Sequence, residues 1–247
     1  MTPLVICGAL GRMGQSVIDL ARKSDNYVIK AGVVKSLLKS STGDCPFPLF
    51  HDLDSALSSI GSDKKPVVID FSIADLAFSH LAAAKKYGSG LLLSTTGHDE
   101  AINPALREAS TTIPVVFAPN TSLMANLMAV LSQAAARCLK NADAAIIDLH
   151  HAQKQDAPSG TAKALAKAIR DAGGNGGKEI PISSLRHGTV AGEHTVCFFN
   201  NFERLEIVHR AEDRRVFAEG ALVAAQFLQT CGPGLYDMKD VLKMNWL

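Results

Sequence analysis

The sequence predicts an α/β protein: a doubly wound parallel sheet in the first half of the chain, then a second α+β domain on an open mixed sheet. Two observations predict the first domain. Short apolar runs (Leu4 to Cys7, Val67 to Ile69, Leu91 to Leu93, Val115 to Phe117) each enter a polar or glycine-containing turn. A helical pattern follows each turn, and strands alternating with helices build parallel sheets that bind ligands at the carboxyl ends of their strands. One observation predicts the second domain: Thr195 to Phe199 and Arg204 to His209 read as consecutive strands with no helix between them.

Composition bounds the rest. The chain has 247 residues, 47% of them hydrophobic, enough for one large domain or two modest ones. A formal net charge of +1 argues against bulk nucleic-acid binding. Five cysteines (Cys7, Cys45, Cys138, Cys197, Cys231) have no CxxC or zinc spacing, which suits free thiols in a reducing compartment. No apolar run is long enough for a bilayer and no leader pattern is evident, so a soluble cytoplasmic protein with no membrane partner is expected.

The first strand runs into Gly8-Ala9-Leu10-Gly11-Arg12-Met13-Gly14 and a helix with Met13, Val17, Leu20 and Ala21 on one face. Strand, glycine-rich turn and helix form the Rossmann-like arrangement in which a pyrophosphate approaches a helix N-terminus. The spacing is GxxGxxG rather than GxGxxG, and an ordinary strand-to-helix turn can share it. The second strand, Tyr27 to Val34, should end beside the adenosine ribose. An NAD site usually places a carboxylate there. Here Lys35 and Ser36 follow, with Lys39 close behind, so NADPH is favoured and NADH remains possible. At later strand ends, Ser94-Thr95-Thr96-Gly97 and Ala118-Pro119-Asn120-Thr121 are placed to line a nicotinamide or ribose, or simply to cap helices.

Ser122 to Lys140 reads as a long helix whose buried stripe is Leu123, Leu127, Val130, Leu131 and Ala134. The apolar run Ala144 to Ile147 then reads as a buried strand. It leads into the densest polar block of the chain, Asp148-Leu149-His150-His151-Ala152-Gln153-Lys154-Gln155-Asp156-Ala157-Pro158-Ser159-Gly160-Thr161. Behind it a helix carries Ala164, Leu165, Ala168 and Ile169, with Ser159 or Thr161 available as N-cap. The amides of Gly160 and Thr161 together with Lys154 suit an anion; a capped polar loop with a solvated lysine fits equally well. Gly173 to Gly177 reads as an exposed loop, and Arg186-His187 and Gly192-Glu193-His194 as polar loops before a strand. His209 shares a face with Leu205 and Ile207, as a sheet histidine does, and Arg214-Arg215 is by default a solvated pair. Phe217 to Leu228 is a last apolar helix. His150 and His151 point to opposite faces of an extended segment, so no metal site is expected. A serine hydrolase is disfavoured by the lack of a GxSxG elbow.

These blocks together resemble the 4-hydroxy-tetrahydrodipicolinate (dihydrodipicolinate) reductase family. The carriers are GALGRMG (Gly8 to Gly14), VIDFS (Val68 to Ser72), STTGHDE (Ser94 to Glu100), FAPNTS (Phe117 to Ser122), HHAQKQDAPSGTA (His150 to Ala162), VAGEHT (Val190 to Thr195), ERLEIVHRA (Glu203 to Ala211) and GLYDMKDVL (Gly234 to Leu242). The resemblance implies reduction of a cyclic dicarboxylate by NADPH or NADH with loss of water, in the lysine and diaminopimelate pathway. It implies His150 as the acid that protonates the ring carbon beside the one receiving hydride, and Lys154 as second proton donor. His151, Gly160 and Thr161 would hold carboxylates. The cofactor would meet Gly8, Ala9, Leu10, Gly11, Arg12, Met13, Lys35, Ser94, Thr95, Thr96, Ala118, Pro119, Asn120 and Thr121, with Arg214 reaching it from the domain junction. Residues 1–121 with 215–247 would form the dinucleotide-binding domain, and 122–214 a substrate domain that assembles a homotetramer. The sequence departs from the family pattern at Asp148, often Glu in relatives; at Ser94, often Gly; at Pro119 and Thr121; and at Val34-Lys35, often Glu-Arg. Another nicotinamide-dependent dehydrogenase of amino-acid metabolism does not require the His150-His151-x-x-Lys154 block, and a non-catalytic dinucleotide sensor does not require its proton donors.

Overall fold

A computed structural model describes residues 1–35, 45–61 and 65–243. Ser36 and Lys39, named above beside the ribose, lie outside the described residues. In chain order the elements are β1 (Thr2–Cys7), α1 (Arg12–Arg22), β2 (Tyr27–Val33), β3 (Leu49–Phe50), α2 (Leu53–Ser58), β4 (Val67–Asp70), α3 (Ala77–Tyr87), β5 (Leu91–Leu93), α4 (Ile102–Ser110) and β6 (Pro114–Phe117). They continue with α5 (Leu123–Cys138), β7 (Asp143–His150), α6 (Gly160–Asp171), β8 (Ile182–Arg186), β9 (Gly192–Phe199), β10 (Arg204–Ala211), α7 (Arg215–Thr230), β11 (Gly234–Tyr236) and α8 (Met238–Val241).

Two compact units result, Met1–Ser122 with Arg215–Leu242, and Leu123–Arg214 with Lys243. The first holds a seven-stranded sheet ordered β11-β6-β5-β4-β1-β2-β3, parallel throughout. β1, β4 and β5 are buried along their whole length, as strands covered on both faces must be, and their sequences read as continuous Val/Leu/Ile runs. α1 buries Gly14, Val17, Ile18 and Ala21, so Ile18 joins the expected face while Met13 and Leu20 stand at its margin. β11 was not apparent in the sequence. It adds Gly234–Tyr236 beside Pro114–Val116 at the sheet edge, and Thr121 Oγ1 donates to the Phe217 carbonyl at 2.6 Å.

The second unit holds a four-stranded sheet ordered β10-β9-β7-β8. β7 and β8 are parallel and β9 runs antiparallel to β7 and β10, which is the expected mixed sheet. Its core joins Met128 of α5, Ile146, Val196 and Phe198 of the sheet, and Leu165 and Ile169 of α6.

Four expectations are corrected here. The buried side of α5 is Ala125, Met128, Val130, Ser132 and Ala136, while Leu127 and Leu131 face outward; the helix is apolar nearly all round, so periodicity could not choose a side. β7 is buried on one face only, with Ile147 exposed. Gly173 to Gly177 is not an exposed loop throughout: Gly174 and Asn175 are buried. Asn175 Oδ1 accepts from the Ala144 amide at 3.1 Å and its Nδ2 donates to the Glu179 carbonyl at 2.9 Å. Arg186 and Gly192–His194 are strand residues, at the end of β8 and the start of β9.

Candidate functional site

In the first unit the glycine turn is held by its own backbone. Gly8 and Ala9 amides donate to the Val33 carbonyl, and the Gly11 amide donates to the Gly8 carbonyl at 2.8 Å. Gly8 has φ +77°, where a side chain is strained. A Cβ on Gly14 would lie 2.2 Å from the Gly8 oxygen, so only glycine lets α1 start against the turn. Gly11 is the N-cap of α1, with Arg12 exposed and Ala9 fully buried. The turn therefore presents backbone at the start of an eleven-residue helix, the cradle that a dinucleotide pyrophosphate fits.

Lys35 is exposed just beyond β2. Asp70, at the end of β4, is fully buried; its Oδ1 accepts from the Ser72 amide at 2.8 Å, and its Oδ2 lies 2.6 Å from His80 Nδ1. Ser94, Thr95 and Ala118 are buried after β5 and β6, whereas Thr96 and Pro119 are exposed. Thr95 Oγ1 contacts His98 Nε2 at 2.7 Å. The Thr121 hydroxyl is committed to Phe217.

In the second unit the two-residue period of β7 places Asp148 and His150 on its inner face. Register then lines up Ser184, Asp148, His194 and His209 across β8, β7, β9 and β10. Arg186 pairs with His150 in the neighbouring row. Asp148 is fully buried. Its Oδ2 accepts from the Ser159 amide at 2.9 Å, Arg186 at 2.9 Å and Ser184 Oγ at 3.2 Å. Its Oδ1 lies 2.9 Å from His150 Nδ1 and 3.4 Å from His194 Nε2. The His150 and His194 rings meet edge to face, and His194 stacks on His209.

Ser159 is the N-cap of α6, accepting from the Ala162 amide at 3.1 Å. Gly160 and Thr161 are thus the first two helical residues. Lys154 is mostly covered and lies 2.8 Å from Asp156. Arg214 reaches His151, Nη2 to Nε2, at 3.3 Å. The structure thus gathers His150, His151, Lys154, Gly160 and Thr161 within one strand-loop-helix segment. Asp148 opens the polar block in the sequence but carries no site role there, and Arg186 and His194 read only as loop residues able to reach a ligand. The signal that could have found Asp148 is its spacing of two from His150.

The charge pattern follows from burial. Burial opposes ionisation of Asp148, but the Ser159 amide and Arg186 guanidinium win and hold its pKa at about 2. Burial, then the His150 charge, push His194 down to about 4. His150 is lowered by burial and by Lys154 and Arg186, against the raising effect of Asp148 and Asp156. Both depressed groups weaken the fold in acid. The unfolded chain protonates histidine near pH 6.5, so the His194 contribution is complete above that value and is lost as pH falls toward 4. The Asp148 contribution is complete above about pH 4 and is lost as pH falls through 2. Urea midpoints measured from pH 8 to pH 3 should therefore fall already below about 6.5. His194→Gln should make that first decline shallower, the remainder coming from His150 and His209, which burial also lowers.

Two trios of ligand-type atoms, Cys7-Asp70-His80 and Asp148-His150-His194, each lie within 4.8 Å of one another. Ligands around tetrahedral zinc sit roughly 3.3 Å apart. Asp70 and His80 are hydrogen-bonded at 2.6 Å, and Asp148 and His150 approach to 2.9 Å, both closer than two ligands of one zinc. Asp148 already has Arg186 as its cation.

Two family models match nearly end to end: dihydrodipicolinate reductase, N-terminus, over residues 2–121, and dihydrodipicolinate reductase, C-terminus, over residues 124–242. This chain belongs to the dihydrodipicolinate reductase family. A 4-hydroxy-tetrahydrodipicolinate reductase of Methanospirillum hungatei is 34% identical, covering 99% of this chain and all of that protein. A dipicolinate-bound dihydrodipicolinate reductase from Paenisporosarcina superimposes with a TM-score of 0.82 at 24% identity, over 96% of this chain and 97% of that one. Aspartate dehydrogenase from Thermotoga maritima shares the fold more loosely, with a TM-score of 0.53 at 13% identity, over 93% and 97% of the two chains. The resemblance read from the sequence was therefore to the right family, while the match to the aspartate dehydrogenase shows likeness of fold alone.

Proposed function

We infer that the chain is a nicotinamide-dependent oxidoreductase that reduces 4-hydroxy-tetrahydrodipicolinate to tetrahydrodipicolinate, with loss of water, in lysine and diaminopimelate biosynthesis. The observation that carries this reading is membership of the reductase family along the whole length of the chain. The bound cofactor supplies hydride. The turn from Gly8 to Met13 would hold its pyrophosphate at the start of α1. The strand-end residues Ser94, Thr95, Thr96, Ala118, Pro119, Asn120 and Thr121 would surround its ribose and nicotinamide, with backbone contacts from the buried members. Lys35 is the group that favours a 2′-phosphate, hence NADPH over NADH, because no carboxylate follows β2 within the described residues there.

On the substrate side, two carboxylates call for positive charge and amide donors. Lys154, His151 and the Gly160-Thr161 helix start supply them. Arg214, first read as a cofactor group, contacts His151 and so joins this anion-binding set. His150 then donates a proton to the ring carbon beside the one receiving hydride, with Lys154 as second donor.

Assembly as a homotetramer would use the outer face of the second sheet, where Ile147, Leu185 and Val208 are 41%, 54% and 40% exposed. Among the described residues no helix is long and apolar enough to cross a membrane.

The test is a coupled assay in which aspartate semialdehyde, pyruvate and the upstream synthase generate substrate, following NADPH and NADH absorbance separately. NADPH oxidation at the higher kcat/KM is expected. No oxidation of either cofactor by folded protein would overturn the reductase reading, and an NADH preference would overturn only the Lys35 argument.

A further inference from the structure

We propose that Asp148 is a positioning residue for the reaction, holding the Nδ1 edge of His150 so that Nε2 is the nitrogen that hands over the proton. The proposal rests on the reductase reading and goes beyond it by naming the group that sets the state of the acid. The two carboxylate oxygens divide their work. Oδ2 takes three donors, from Ser159, Arg186 and Ser184. Anchoring the helix start and the arginine needs no more than that oxygen. Oδ1 is left to the imidazoles, 2.9 Å from His150 Nδ1 but out of line for a hydrogen bond, and 3.4 Å from His194 Nε2. Both Oδ1 and Nδ1 are buried with no other hydrogen-bond partner among the described residues, so each is the nearest group that can satisfy the other. Ring rotation is limited from the side by His194, whose ring meets His150 edge-on with centroids 5.2 Å apart. At the other end of the ring, a Cβ on residue 192 would lie 3.0 Å from Nε2, and glycine keeps that space open.

The groups that act on His150 are Asp148 on its own strand, Lys154 and Asp156 in the following loop, Arg186 on β8, and His194 on β9 backed by His209 on β10. Lys154 and Arg186 disfavour the imidazolium; Asp148 and Asp156 favour it. Asp148 is the one of these at contact distance and fully buried. With a carboxylate at Nδ1 the ring keeps its Nδ1 proton, and the protonated ring donates from Nε2. An amide in place of the carboxylate reverses this. Three donors hold the amide oxygen at the Oδ2 position, so its NH2 group faces Nδ1 and favours the tautomer with an unprotonated Nδ1, the wrong-tautomer logic known for catalytic His–Asp pairs.

The experiment compares Asp148→Asn, Asp148→Glu and Ser184→Ala in the coupled assay across pH, alongside 15N NMR of the histidine rings in the unsubstituted enzyme. Asp148→Asn should lower kcat roughly 100-fold with KM changed little, and should move the alkaline fall of kcat to lower pH. Asp148→Glu, which keeps the charge, should recover much of the loss. Ser184→Ala, which removes only a donor to Oδ2, should leave the pH limb in place. The NMR should show His150 protonated at Nδ1 in its neutral form, a readout that survives if Asp148→Asn fails to fold. Folded Asp148→Asn with unchanged kcat and pH limb, a loss confined to KM, or a neutral His150 protonated at Nε2 would each overturn the proposal. Absence of cofactor oxidation by the unsubstituted enzyme would instead overturn the reductase reading, with the NMR result still deciding the Asp148–His150 contact.

Discussion

His150→Gln should lower kcat roughly 10²- to 10⁴-fold, the contribution of one well-placed general acid. Glutamine keeps polarity and approximate volume but has no proton to give at neutral pH, so the loss falls on the chemical step. NADPH affinity should stay within about twofold, because the proposed cofactor groups lie in the other compact unit, Met1–Ser122 with Arg215–Leu242. Steady-state kinetics with both substrates varied, together with NADPH fluorescence titration, separates the two effects. A variant that lost cofactor affinity in parallel with turnover would show that His150 has another role.

Gly14→Ala should damage the first unit where His150→Gln damages the chemistry. A Cβ there meets the Gly8 oxygen at 2.2 Å and the Ala9 Cα at 2.9 Å, both backbone atoms that cannot swing away. Gly8 itself lies close to the Phe71 backbone, where a Cβ would come within 2.8 Å of the carbonyl oxygen. Overpacking of this kind destabilises by about 1 to 3 kcal/mol, which for a chain of this size lowers Tm by roughly 2 to 12 °C. Weaker NADPH binding should accompany it, measured on protein held well below its new Tm. Gly232→Ala makes a matched control, because nothing lies within 4 Å of a Cβ there. Equal melting temperatures for Gly14→Ala and the unsubstituted protein would contradict the packing of the turn.

The parallel sheet was legible because its buried strands are unbroken apolar runs, and the segment from His150 to Thr161 because so many reactive groups fall in so few residues. What escaped the sequence depends on partners far along the chain. β8 is short and carries Ser183 and Ser184, so no apolar pattern marks it; pairing with β7 makes it a strand. That pairing brings Arg186 to Asp148 across a separation of 38 residues. His194 reads in the sequence as part of a polar loop, and only the β7–β9 register sets it opposite Asp148. Gly174 looked like one more loop glycine, yet a Cβ there would meet Ile169 Cγ2 at 2.7 Å. In each case local composition was read correctly as polar or flexible, and tertiary contact reversed its meaning.

The pairing of β11 with β6 has a consequence for how the molecule is made. The first compact unit comes from two stretches of chain, and the whole of residues 123–214 is looped out between them. Synthesis runs from the N-terminus, so β1 to β6 leave the ribosome without the helix α7 and the edge strand that complete them. The inserted unit draws its core from α5 to β10, a continuous segment, and can collapse first on the nascent chain. Once it has, its ends are no longer a random coil. The loop-closure entropy of joining Thr121 to Phe217, on the order of 4 kcal/mol for a flexible loop of that length, is then already met by the folded insert, so that the later-made unit acts as a template for finishing the earlier one.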